Sequence, residues 1–351
     1  MELKKISDYQ QKAIEKLGAS LTDYIQKTAG EGKAFKSNLD VFSKYDLVSN
    51  EQKSESQDTK VEIMGKKITA PIMIAPTAWH KMFTPKGEAD TSSAAKEFGT
   101  NYVISSFSTL DFSEIDTDLS HTWYQLLMYK DLGLMKKYID RAEKAGCSGI
   151  VLTIDAVTGC SMCKTDPSLP PTVFPVHKLP VFPENPELPY TTLDDYYEKY
   201  MPMALDWNAI KEIVAYSKLP IILKGILNNE DAKKAIEIGA KAIVVSNHGG
   251  RQNDEAVATL DGLTTLSPEI KTEIDVYLDG GVRNGGDIFK ALALGAKAVF
   301  IGRPALYGLA VNGKDGLVDV LNIFTNELKT SMKVTGCASL SDIGPERITK
   351  K

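Results

Sequence analysis

The sequence predicts a (β/α)8 barrel with an N-terminal helical extension, and three observations carry that prediction. Beyond residue 60, eight short runs rich in β-branched residues alternate with helical segments. Most of these runs are continuously apolar, the pattern of parallel strands buried on both faces. The segment from Asp231 to Ala242 (DAKKAIEIGAKA) is echoed 56 residues later by Asp287 to Ala298 (DIFKALALGAKA). That spacing equals two βα units of about 28 residues each in a barrel of roughly 250.

In chain order, residues 1–60 read as helix and loop, with Tyr9, Ile14, Leu17, Leu21 and Ile25 roughly on one helical face. The polar stretch 49–60 reads as an exposed loop. Strands are expected at 71–75, 101–105, 122–128, 150–154, 220–224, 242–246, 274–279 and 298–302, with helices between them, for example at 133–145 and 208–217. The connection after the fourth strand, 157–207, is unusually long and carries Pro167, Pro170, Pro171, Pro175, Pro180, Pro183, Pro186 and Pro189. It leaves the C-terminal end of a barrel strand, where barrel active sites sit, so a substrate-covering lid is expected, with disorder as the alternative. Residues 1–351 are expected to form a single domain.

Composition narrows the class. A formal net charge of −5 argues against an electrostatic hold on nucleic acid or an anionic membrane. No apolar run approaches the ~20 residues that a membrane span needs. Four cysteines in 351 residues make no disulfide framework, which fits a reducing compartment, and the cytoplasm is the expected location. Cys160 and Cys163 lack a second ligand pair and read as ordinary thiols, so no metal site is expected. His80, His121 and His177 read as structural or exposed, while Trp79 and His80 are also candidates to line a pocket.

The strand ends carry the chemistry. Asp155 closes the fourth strand, Lys224 the fifth and Asp279 the seventh, while His248 follows the sixth and Arg303 the eighth. Five ionisable groups from remote parts of the chain thus converge on one rim. In Ser246-Asn-His248-Gly-Gly-Arg251, glycines let backbone approach a bound ring or anion, and the imidazole of His248 is the side-chain type best suited to accept a proton near neutral pH. Asp155 would orient the imidazole, and the fork of Arg251 matches a carboxylate. Asp279-Gly-Gly281-Val-Arg283, with Gly302-Arg303, occupies the loops where barrels bind phosphate. A phosphate handle set apart from a His–Asp–Lys group suggests a cofactor with its tail in one place and its reactive ring in the other, with Lys224 beside the ring.

The motifs SNHGGRQ, DGGVRNGGD with ALALGAKAVFIGRP, and APTAWHKM resemble the FMN-dependent 2-hydroxy-acid oxidase and dehydrogenase family, which includes glycolate and lactate oxidases. The likeness runs from about Tyr9 to Gly336. It implies a (β/α)8 flavoprotein, a homotetramer or homo-octamer, that uses FMN to oxidise an L-2-hydroxy acid to a 2-oxo acid and passes the electrons to O2 or another acceptor. His248 matches the base, Asp155 its partner, Arg251 and Tyr24 the residues that hold the substrate carboxylate, and Lys224 the lysine beside the flavin. Thr77, Ala78, Ser106 (with Ser105 as its rival), Gln125, Thr153 and Ser246 match flavin contacts. Asp279, Gly281, Arg283, Gly302 and Arg303 match the ribityl and phosphate site.

Three positions depart from the family pattern. A tyrosine expected two residues after Gln125 is Leu127, and an arginine expected about seven residues after Asp155 is missing from a stretch that offers only Lys164. An aromatic position often filled by tryptophan is Phe107. Losing one arginine from a buried anion site costs about 3–5 kcal/mol by analogy with a broken buried pair. The alternative reading is therefore an FMN enzyme acting on a larger or less acidic hydroxyl compound, with Leu127 and Met162 making the pocket more apolar. A flavin-binding protein with little catalysis and a flavin-free barrel acting on a phosphorylated substrate are the remaining rivals.

Overall fold

The computed structural model describes residues 3–50, 56–156, 199–201 and 206–351. The expected lid (157–207), with Cys160, Cys163, Met162, Lys164 and His177, lies almost wholly outside the described residues. The chain opens with α1 (Ile6–Gln26) and α2 (Lys33–Asp40). A short strand β1 (Tyr45–Leu47) pairs antiparallel with the last strand, β12 (Ile348–Lys350), and β2 (Val61–Ile63) forms a hairpin with β3 (Lys66–Ile68). The barrel strands follow as β4 (Ile72–Ile74), β5 (Tyr102–Ile104), β6 (Thr122–Leu127), β7 (Ile150–Thr153), β8 (Ile221–Ile226), β9 (Ala242–Val245), β10 (Asp275–Leu278) and β11 (Ala298–Ile301). All eight expected strands are present, and they close into a parallel barrel through the β11–β4 pairing.

Between them run α3 (Glu88–Phe98), α4 (Phe112–Ile115), α5 (Leu132–Ala145), α6 (Trp207–Tyr216), α7 (Asn229–Glu237), α8 (Thr259–Thr265), α9 (Pro268–Glu273), α10 (Gly285–Ala293) and α11 (Arg303–Thr335). The internal echo has a local cause. Asn228 and Asn284 cap α7 and α10 by accepting from the backbone N–H of Asp231 and Asp287, and Gly239 and Gly295 end those helices at φ 89° and 100°. Each helix is thus started and stopped by the same chemistry before the chain re-enters the barrel.

Two layers of packing hold the barrel. Met73, Val103, Trp123, Val151, Ile222, Val244, Tyr277 and Phe300 fill its interior, joined by Ile63 and Ile68 of the hairpin. Alternate residues such as Ile72, Ile74, Ile104, Tyr124, Leu152 and Leu278 face the surrounding helices. Trp123, Tyr277 and Phe300 contact one another with ring centroids 6.0–6.2 Å apart, each pair contributing about 0.5–1.5 kcal/mol beyond its buried area.

Two expectations for the N-terminal region are corrected. Only Tyr9 and Ile25 of the proposed apolar face are fully buried, together with Ile6 and Ala13. Gly18, at φ 72°, breaks the helical phase, so Leu21 does not continue the stripe begun by Tyr9. The stretch 49–60 is not simply an exposed loop. Asn50 N–H donates to Val334 O, Asp58 bridges to Ser339, and Thr59 is buried with its hydroxyl on Thr69 O.

Candidate active site

Strand alternation builds the site. Side chains at i and i+2 share a face, so the interior residues predict what stands above them. Val103 leads to Ser105, Trp123 to Gln125 and Leu127, and Val151 to Thr153 and Asp155. On the other side Ile222 leads to Lys224, Val244 to Ser246, Tyr277 to Asp279 and Phe300 to Gly302. Every one of these positions lies in the C-terminal half of its strand or just past it.

Hydrogen bonds join them into two arcs. Ser105 Oγ donates to Gln125 Oε1 at 3.2 Å, and Gln125 Nε2 donates to Thr153 Oγ1 at 3.1 Å. Opposite, Lys224 Nζ lies 2.8 Å from Ser246 Oγ and 3.1 Å from Asp279 Oδ2, all buried. Burial works against the Lys224 ammonium, but the carboxylates of Asp279 and Asp155 outweigh it and hold the amine above its ordinary range. This alternation corrects Ser106. Its hydroxyl turns away from the interior to donate to the backbone carbonyl of Gln125 at 2.7 Å, so Ser105 carries the inward hydroxyl.

His248 and Asp155 meet above this floor, with Nδ1 3.0 Å from Oδ1. His248 stands at φ 58°, followed by Gly249 at 64° and Gly250 at 73°. Three successive left-handed residues make the turn that swings the imidazole back over the barrel. A Cβ on Gly250 would lie 2.5 Å from the backbone nitrogen of Phe35, so the loop also needs glycine to pack on α2. Burial would raise the Asp155 carboxyl, but His248 and Lys224 overcome it and hold Asp155 below the usual carboxylate range. Its Oδ2 is buried and without a partner among the described residues.

The arginines gather where α1 ends. Arg251 lies over the Tyr24 ring, 5.2 Å from its centroid, and donates to the carbonyls of Tyr24 and Ile25 at 3.1–3.2 Å. Arg303 is committed more fully than expected, its fork reaching Ile25 O, Lys27 O and Gly249 O at 2.9–3.0 Å. It thus caps the C-terminus of α1 and fastens it to the histidine turn. Burial, then the like charges of Arg251 and Arg283, push Arg303 down to about 9. Arg283 donates to Val282 O at 2.8 Å, and its backbone N–H to Asp287. Neither Arg283 nor Arg303 forms an ion pair among the described residues. Gly281 serves α2 first, since a Cβ there would lie 2.0 Å from Asn38 O.

Aromatic residues wall the space above. Trp79 stands 5.7 Å from Tyr24 and 5.6 Å from Phe107 between ring centroids, and Trp79 N–H donates to Phe107 O. His80 is fully buried and structural, its ring nitrogens each 2.7 Å from the hydroxyls of Thr77 and Thr91. Burial holds its imidazole below the usual value. A Cβ on Gly302 would lie 3.7 Å from Thr77 Cγ2, and Ala78 is half-buried beside the core. Sequence reasoning missed Glu88 and Asn38, both buried beneath these loops. Neither occupies a strand end, so no signal marks them in the sequence.

A flavin mononucleotide fits this donor set. Asp279 Oδ1 is buried and without a partner among the described residues, which suits a hydroxyl donor such as a ribityl chain. Three mutually repelling guanidiniums suit a phosphate and a carboxylate, and the Lys224 ammonium suits the polar edge of a ring that gains negative charge.

Comparison with known proteins agrees. Residues 13–350 match the model of the FMN-dependent dehydrogenase family. The chain is similar to human 2-hydroxyacid oxidase 2, 39% identical over 98% of this chain and 97% of that one. It is 38% identical to L-lactate oxidase of Nostoc sp., over 96% and 95% of the two chains. The crystal structure of mandelate oxidase superposes with a TM-score of 0.85 at 29% identity, covering 100% of this chain and 99% of the other. The chain therefore belongs to the FMN-dependent dehydrogenase family, as a (β/α)8-barrel flavoprotein that uses FMN to oxidise CH–OH donors.

Proposed function

We propose that the chain acts as one catalytic domain that oxidises a 2-hydroxy acid to the 2-oxo acid, with His248 as the base. The observation that carries this reading is the His248–Asp155 hydrogen bond of 3.0 Å. With its Nδ1 proton on Asp155, the imidazole has its lone pair on Nε2, ready for the hydroxyl proton. Asp155, held ionised, stabilises the imidazolium that results. Arg251 and Tyr24 hold the substrate carboxylate, and Trp79 and Phe107 face its side chain. Lys224, Ser105, Gln125, Thr153 and Ser246 hold the ring of FMN, with the backbone at Thr77 and Ala78 beside it. Asp279, Gly281, Arg283, Gly302 and Arg303 hold the ribityl phosphate. Bound FMN supplies a two-electron acceptor for the C–H bond broken at the carbinol carbon.

O2, a quinone or a protein then takes those electrons onward. The proposal includes a cytoplasmic homotetramer or homo-octamer. The hydroxy acids for which the relatives are named support this substrate class over a larger, less acidic alcohol. Anaerobic mixing of the yellow protein with a panel of 2-hydroxy acids tests it. Bleaching of the flavin band by glycolate, lactate or a longer acid is expected, whereas a flavin that no hydroxy acid bleaches would overturn the substrate class.

A further inference from the structure

Asn38 sits on α2, a helix that contributes no residue to the proposed reaction, yet it is only 1% exposed. It forms a reciprocal amide pair with Asn247, the residue before the histidine. Asn38 Nδ2 donates to Asn247 Oδ1 at 2.7 Å, and Asn247 Nδ2 donates to Asn38 Oδ1 at 2.9 Å. Each oxygen accepts a second bond, Asn38 Oδ1 from Thr259 N–H and Asn247 Oδ1 from Gly250 N–H, both at 3.1 Å. Asn247 Nδ2 also donates to Val257 O at 3.0 Å.

The bond from Gly250 N–H to Asn247 Oδ1 spans the left-handed turn from end to end. His248 occupies a backbone conformation that L side chains rarely adopt, so something must hold it there. The clasp works only while the oxygen of Asn247 faces Gly250. Asn38 enforces that orientation, because a flipped Asn247 amide would set N–H against N–H at one side of the pair and oxygen against oxygen at the other.

We infer that Asn38 is a positioning residue for the base, locking the Asn247 amide so that the left-handed turn delivers His248 Nδ1 to Asp155. The inference rests on His248 being that base.

The test uses the full-length, FMN-loaded protein labelled at its four histidines, with His248 assigned by its loss in His248→Gln. Asn38→Leu keeps the branched shape and the heavy-atom count and removes the amide. Its His248 resonance is expected to titrate lower by about half a unit to one unit as the Asp155 contact loosens. Flavin reduction by a hydroxy acid is expected to slow about 10- to 30-fold, with KM within about threefold of wild type.

Asn38→Asp gives a sharper signature and keeps the test decisive should Asn38→Leu not fold. As a carboxylate it faces Asn247 Oδ1 with no proton, but as an acid it again donates and accepts. The ratio of its reduction rate to wild type is therefore expected to rise as pH falls from about 8 to about 5. The charged groups packed against this turn, Asp155 on the imidazole, Lys224 beside Asp155 and Arg303 on Gly249 O, are common to both proteins. An unchanged His248 titration in both variants would overturn the inference. So would a pH-independent ratio accompanied by an equal loss of FMN affinity, the mark of a general brace. The NMR titration needs no substrate, so a wild-type protein that no hydroxy acid reduces would overturn the reaction while the titration still decides Asn38.

Discussion

Replacing Asp155 by alanine tests the part of the mechanism that the geometry constrains most. In the proposed reaction His248 becomes a cation on taking the hydroxyl proton, with the Asp155 oxygen 3.0 Å from Nδ1. At an effective dielectric of about 20 the Coulomb attraction at that distance is roughly 5.5 kcal/mol, which is a ceiling. The side chains are 24% and 15% exposed, so water screens part of it. A charge-assisted hydrogen bond measured by mutation contributes about 1.5–3 kcal/mol. At about 1.4 kcal/mol per factor of ten, Asp155→Ala should slow the limiting rate of flavin reduction roughly 10- to 150-fold. The assay is anaerobic stopped-flow absorbance across substrate concentration, which separates the limiting rate from substrate affinity. Substrate affinity should move by less than about threefold, because Arg251 and Tyr24 are untouched. A limiting rate within about threefold of wild type, or a loss confined to affinity, would refute the pairing as the device that stabilises the imidazolium.

The same carboxylate predicts a pH dependence of stability. Asp155 is depressed in the folded chain, so its contribution is complete above the unfolded carboxyl value of about 4 and fades as pH falls through the folded value. Below about 4 the difference in unfolding free energy between wild type and Asp155→Ala should therefore shrink in urea titrations. Gly250→Ala combines a left-handed φ of 73° with a Cβ 2.5 Å from Phe35 N. Strain of about 1–3 kcal/mol and overpacking of about 1–3 kcal/mol should add, and a measured cost below about 1 kcal/mol would contradict the close approach to α2. Glu88 is fully buried and accepts from His80 N–H, Thr109 N–H and the Thr109 hydroxyl. Glu88→Ala leaves two backbone donors unmet and should cost about 2–6 kcal/mol by urea unfolding, with Glu88→Gln costing about half. Inorganic phosphate should stabilise the flavin-free protein by about 2.7 kcal/mol at a hundred times its Kd, with chloride as the control for ionic strength. Arg283→Gln should remove most of that gain.

The barrel was legible because its signals are local. A buried parallel strand needs a continuous apolar run, and Asn caps and Gly stops repeat around α7 and α10. The short pairings were not. Tyr45–Leu47 finds its partner at Ile348–Lys350, some three hundred residues away, and neither segment is long or apolar enough to announce a strand. The apolar face of α1 was misjudged because helical periodicity assumes an unbroken phase, and Gly18 resets it.

The site was legible to the extent that it is a consequence of the barrel. Asp155, Lys224, His248 and Asp279 are recognisable because polar residues at strand ends interrupt apolar runs. Ser105 against Ser106 could have been decided the same way, by counting two residues on from an interior Val103. What strand alternation does not reach is the support from outside the barrel. Asn38, Phe35 and the carbonyls of Tyr24, Ile25 and Lys27 meet the site only through tertiary packing. That packing changes how the arginines must be understood. Arg303 reads in sequence as a phosphate ligand, yet its fork holds the end of α1 against the histidine turn. A guanidinium shared between helix carbonyls and an anion couples the two, so whatever binds beside Arg251 and Arg303 also bears on the hold of the Tyr24 segment over the pocket. The N-terminal extension is then part of the wall of the proposed site, fastened by the same cations that would meet the anions.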